Sequence, residues 1–132
     1  MTKHILLLAL LALAAGCGQK ADTSEADGQH CLAIARQALS NGDIDNARAY
    51  IDTLRANYPT ALNAREEGIL LLDSIELAQA IIELDEAQQL AGQPDLDRIA
   101  KDSLDFHLDG ARQKVKFFEK KIEHDKQNVA RH

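Results

Sequence analysis

Tryptophan is absent from the 132 residues, three Phe and two Tyr are the only aromatics, and there is a single Met. A chain this poor in rings must build its core from Leu, Ile and Ala, which favours packed helices over a β-sandwich. Proline is scarce too: Pro59 and Pro94 are the only two, so long stretches run without a helix breaker. Basic charge is outweighed, with 15 Lys and Arg against 21 Asp and Glu and a net charge of −6, which argues against a nucleic-acid partner. The motifs that carry chemistry are missing as well. There is no His-Glu-x-x-His, no Cys-x-x-Cys, no Gly-rich phosphate loop and no Glu-x-x-His. His30, His107, His124 and His132 are scattered, and the adjacent His30 and Cys31 would point about 100° apart on a helix, too far to share a proton. Acidic pairs such as Glu83 with Glu86, or Asp102 with Asp105, are what solvated helix faces ordinarily carry. The sequence therefore predicts no enzyme, no catalytic residues, no metal and no cofactor.

What is present begins with an address. Lys3 and His4 precede an unbroken apolar run from Ile5 to Ala15 that ends at Gly16-Cys17. A basic flank, a short apolar core and a small-residue exit make a secretory leader, and the run is too short to span a bilayer. The stretch Leu13-Ala14-Ala15-Gly16-Cys17 resembles the lipobox of bacterial lipoproteins, with Ala14 where that family usually has Leu and Leu13 one step further out. The resemblance implies cleavage after residue 16 and lipidation, including palmitate, on Cys17, so that the partner at this end is a lipid membrane. Gly18, in place of the Asp that retains such proteins in the inner membrane, implies the outer membrane. Residues 17–28 read as the lipidated Cys and a disordered tether, with 18 Å as its approximate r.m.s. reach; Asp22, Glu25 and Asp27 resemble the acidic export signals of some surface lipoproteins. With Cys17 acylated, Cys31 has no disulfide partner, and is either a reactive thiol or a small apolar residue buried on a helix.

The remaining residues, 29–132, read as one helical domain. Ile34, Ala35 and Ala38 set a helical period that stops at Asn41-Gly42; Ile44, Ala47, Ile51 and Leu54 set a second that stops before Tyr58-Pro59. Gly42 is suited to a left-handed turn and Asp43 to capping the second helix. The spacing of Ile34, Ala35, Ala38, Gly42, Ala47, Ile51, Leu54 and Pro59 resembles one tetratricopeptide-type repeat over residues 29–58, without a second repeat behind it. Residues 60–128 read as a long helical hairpin. Thr60 is placed to cap a helix that continues to Leu90, Gly92-Gln93-Pro94-Asp95 is the turn, and a fourth helix follows from Leu96.

Leu104, Leu108, Ala111, Val115, Phe118 and Ile122 step 4-3-4-3-4, a coiled-coil seam. Leu71, Ile75, Ala78 and Ile82 step in the same way, and folding at Gln93 pairs them with Val115, Ala111, Leu108 and Leu104, with Gly68 facing Phe118 and Ala64 facing Ile122. Residues 66–109 carry 12 acidic and 2 basic side chains and residues 111–132 carry 3 acidic and 7 basic, so the fold-back is also attractive electrostatically. The predicted fold class is all-α: a tetratricopeptide-like αα-hairpin packed on a long antiparallel coiled-coil helical hairpin.

A second apolar stripe, Leu70, Leu77, Ile81 and Leu84, lies beside the seam of the third helix, and Ile99, Phe106 and Phe117 lie off the seam of the fourth. The short hairpin is expected to cover Leu70 and Phe117 and to leave Leu77, Ile81, Leu84, Ile99 and Phe106 as an exposed strip that binds a protein partner or a second copy. The functional expectation is an envelope lipoprotein acting as a helical adaptor or scaffold. The alternatives are a chaperone-like holder of unfolded chains, or a ligand-binding or enzymatic bundle whose site leaves no mark in the sequence.

Overall fold

The computed structural model describes residues 23–131, and these form four helices: α1 (Ser24–Ser40), α2 (Ile44–Asn57), α3 (Leu62–Ala91) and α4 (Arg98–Val129). The described chain is all-α, as its aliphatic, ring-poor composition predicts. At the α1–α2 corner Gly42 adopts a φ of 77°, and Asp43 Oδ1 accepts the backbone N–H of Asn46 at 3.2 Å. Asp97 caps α4 likewise, accepting the N–H of Ala100 at 2.7 Å.

The first helix starts earlier than expected. α1 begins at Ser24, inside the stretch read as tether, and Gly28 is buried. The polar residues at this end act as fasteners. The α3 N-cap, Ala61, has no side-chain acceptor, and Glu25 reaches across from α1 to take the N–H groups of Ala64 at 2.8 Å and Asn63 at 3.2 Å. Two of the four donors that a helix start leaves free are thereby satisfied from another helix. Thr60, expected as that cap, instead donates its hydroxyl to Ser24 Oγ at 2.8 Å. Gly28 allows the contact: a Cβ there would lie 2.7 Å from that of Ala61 and 3.2 Å from that of Ala64.

Leu32, Ile51, Leu54 and Ile75 are fully buried, and Ala35, Ala47, Ala61 and Ala64 fill the spaces between them. Leu71, Leu72 and Ala78 pack against this cluster from α3. A Cβ on Gly68 would sit 3.1 Å from Leu54 Cδ2, so the missing side chain is what lets α2 approach α3. The core thus lies between the short hairpin and the first half of α3.

The pairing of α3 with α4 corrects the expected register. Lys121 Nζ lies 2.7 Å from both carboxylate oxygens of Asp73, and Lys114 Nζ 2.7 Å from Glu83 Oε2. In the expected register Asp73 would face Gln113 and Glu83 would face Ser103, so α4 is displaced by roughly two to three turns. The cause is that Ala64 and Gly68, expected to face Ile122 and Phe118, are occupied by the short hairpin. With that face taken, α4 lies on the opposite one. Leu70 lines one groove with Asp125, Asn128 and Val129, and Ala87 another with Leu104 and Ala111. Leu77, Ala80 and Leu84 continue that stripe at helical spacing and are buried or half-buried. The two stripes of α3 have therefore exchanged partners relative to the sequence expectation. Among the described residues, α4 has no backbone contact with α1 or α2, and α3 separates them.

Candidate interaction surface

Among the five residues expected to form an exposed strip, Ile99 is 82 % exposed, Phe106 79 % and Ile81 50 %. Leu77 and Leu84 are half-buried, for the reason just given. Phe117, expected to lie beneath the short hairpin, is 59 % exposed, because that hairpin packs on the far side of α3. The two most exposed residues of the expected strip are thus on α4, while Leu62, Ile69, Ile82 and Leu90 are exposed on α3. Ile99, Phe106 and Phe117 are spaced by 7 and 11 residues, and the 18 residues from first to last make five whole turns. All three project from one side of the helix, along about 27 Å of its length. That spacing is visible in the sequence; Phe117 was lost from the strip only by assigning it a cover it does not have.

The seam of α4 is where the sequence predicts it. Leu104, Leu108, Ala111, Val115, Phe118 and Ile122 are all half-buried. Phe117 and Phe118 meet edge to face with centroids 5.1 Å apart, one ring outside the seam and one within it.

Charged groups fix α4 in this orientation. Asp73 is buried, with a side chain 6 % exposed, and Lys121 neutralises it while also bonding Asp125 at 2.8 Å. The Lys121 ammonium, with His124 as a second donor, holds the Asp125 carboxyl down at about 2, and Asp125 and then Asp73 push the Lys121 ammonium above its ordinary value. Glu83 is held below the usual carboxylate range by Lys114, and Glu67 by Arg36 and Gln29. Lys114 and Lys121 thus tie the basic half of α4 to the acidic α3, in keeping with the opposed charge blocks of the sequence.

The concave features are shallow. An apolar groove of about 440 Å³ runs along the distal half of the hairpin between Glu83, Ala87 and Leu90 on α3 and Leu104, Phe106, His107 and Gly110 on α4. No group of three or more His, Cys, Asp or Glu side chains among the described residues is arranged to hold a metal ion. Cys31 is buried, its Sγ 3.1 Å from the Tyr50 carbonyl oxygen, and burial pushes its thiol up, away from the reactive thiolate. Of the two readings of Cys31, the structure supports the packed one.

Cys17 and residues 1–16, expected to be a leader, lie outside the described residues. No helix among the described residues is long and apolar enough to cross a membrane. Comparison with protein-family models, with curated proteins and with solved structures finds no match.

Proposed function

We propose that the protein is a bacterial lipoprotein, acylated on Cys17 and held at the outer membrane, whose helical domain is an adaptor or scaffold for another protein. The observation that carries the adaptor reading is the solvent-facing row of Ile99, Phe106 and Phe117 on a helix whose opposite face is already packed. Three large apolar side chains in line on one helix face are a surface made to be covered. In this reading α1 and α2 are a single tetratricopeptide-like unit bracing an antiparallel coiled-coil hairpin, α3–α4, that carries the binding face. The anchor reading rests on the order Lys3, Ile5 to Ala15, Gly16-Cys17.

The geometry suits such a role. Thr23, the last described residue before α1, lies at the end of the molecule where α3 begins and α4 ends, since Ser24 bonds Thr60 and Val129 lines a groove with Glu66. The α3–α4 turn is then about 45 Å away, the length of α3. A chain anchored through Cys17 presents α4 to its surroundings rather than to lipid.

Labelling of producing cells with a palmitate analogue tests the anchor. The native chain is expected to take up label and float with outer-membrane vesicles, and Cys17→Ser to lose both. An unlabelled native chain, or label surviving in Cys17→Ser, overturns the lipoprotein reading.

A further inference from the structure

The row on α4 is self-complementary, and we infer that its occupant is a second copy of this chain, packed antiparallel along α4 about a two-fold axis that crosses the helix at the level of Leu108, on the face opposite that seam residue. Leu108 lies midway between Ile99 and Phe117, so this axis sets Ile99 of each copy against Phe117 of the other. Leu108 is also midway between Phe106 and Gly110. The same axis therefore lays each Phe106 ring over the other copy's Gly110, where space is open: a Cβ there would meet no atom within 4 Å. The large residue and the small one stand one turn apart, as a reciprocal knob and hole require. The apolar groove of the distal hairpin is centred on the same stretch, with Leu104, Phe106, His107, Gly110 and Ala111 in its wall, and it receives the incoming ring.

Charge selects the direction. Residues 111–132 are net basic and 66–109 strongly acidic. Parallel copies would align like with like, whereas antiparallel copies bring Lys116 near Asp102 of the other copy and Arg112 near its Asp105. Two contacts are repulsive: the two Asp109 carboxylates come close together, and Lys120 comes near Arg98 of the other copy. The apolar surface supplies much of what a stable interface needs, and the flanking side chains must supply the rest. Taking about 200 Å² for an aromatic ring, the exposed parts of Ile99, Phe106 and Phe117 come to about 400 Å² per copy. Two copies then remove roughly 800 Å² of apolar surface from water before the flanking charged side chains add theirs, against about 1,200–2,000 Å² in stable interfaces.

This names the partner for the adaptor reading of α4 and does not depend on the anchor; a failed palmitate label overturns the anchor and leaves the self-association standing. The test uses the full chain carrying Cys31→Ala in membranes of the producing cells, with one cysteine added at position 99 or 117 and a short bismaleimide that spans the about 8–10 Å between packed helices. Co-produced Ile99→Cys and Phe117→Cys chains are expected to cross-link to each other, and neither to itself, since like positions lie about 27 Å apart along the axis. Gly110→Glu, whose Cβ would meet no atom of its own chain within 4 Å, is expected to fill the hole and abolish the cross-link while the helical ellipticity is kept, because Glu is the better helix former. Asp109→Asn is expected to increase cross-linking several-fold. A 99-to-99 product overturns the antiparallel geometry; no product at all, or a product indifferent to Gly110→Glu, overturns the interface.

Discussion

Replacing Glu25 with Ala removes the cap of a helix to which Glu25 does not belong. Its carboxylate accepts the Ala64 N–H at 2.8 Å and the Asn63 N–H at 3.2 Å, and no side chain within α3 substitutes for it, the N-cap residue being Ala61. Losing a capping side chain costs about 1 kcal/mol, within a range of about 0.5–2. Losing a negative charge at the positive end of a helix costs a further ~0.3–1 kcal/mol. Glu25 is partly exposed, so solvent screens part of the second contribution, and about 1.5 kcal/mol is expected in all. For a domain of this size that lowers the melting temperature by roughly 6 °C. Thermal unfolding followed by helical ellipticity measures it, with Asp27→Ala as the control: Asp27 lies in the same first turn but bonds only the Thr23 hydroxyl among side chains, at 2.9 Å. A Glu25→Ala shift no larger than that of Asp27→Ala would refute capping between helices.

Two further outcomes follow from the packing and the charges. Gly28→Ala gains helix propensity worth about 1 kcal/mol, yet its methyl would lie 2.7 Å from the Ala61 Cβ, which is not a flexible chain end that can swing aside. A net loss of about 1–2 kcal/mol is expected from overpacking, read as a lower urea midpoint; a gain would show that α1 is held less tightly to α3. In acid, the folded Asp125 sits at about 2 and Glu67 and Glu83 below their usual range, whereas the unfolded groups titrate near about 4. Their contribution is whole above about pH 5 and is lost as pH falls through 4 towards 2. The raised Lys121 contributes below its unfolded value of about 10.4 and loses that contribution only as pH rises past it. The urea midpoint is therefore expected to be flat between those limits and to fall on the acid side; a midpoint unchanged down to pH 2.5 would contradict the ion-paired seam.

How much of this was legible in the sequence differed from helix to helix. α4 was readable because its seam residues, Leu104 to Ile122, face one side and its other faces are mostly polar. α3 was not, because it is apolar on two nearly opposite faces. Leu71, Ile75 and Ala78 on one side and Leu70, Leu77 and Leu84 on the other are equally good stripes, and periodicity does not say which neighbour takes which. The small residues Ala64 and Gly68 decided it, by admitting Leu54 and Ile51 of the short hairpin. The start of α1 was hidden for another reason. Ser24 and Glu25 are polar because they bond the start of α3, and composition alone does not separate a polar fastener from a polar tether. Of the five residues expected to form a strip, Ile81, Ile99 and Phe106 are exposed to solvent, and Leu77 and Leu84 are half-buried with α3.

α4 has no backbone contact with the short hairpin, the two sharing only the edge of a groove where Arg36 and Lys126 flank α3, and this has a consequence for how the molecule can change. Side chains on opposite faces of a shared helix, without common neighbours, contribute to stability nearly independently. Substitutions in the Leu32–Leu54 core and in the Lys121–Asp73 seam should therefore combine by simple addition, and one hairpin can be redesigned without retuning the other. α3 works as a party wall: what is rebuilt on one side is not felt by the tenant opposite, provided the wall itself stays straight.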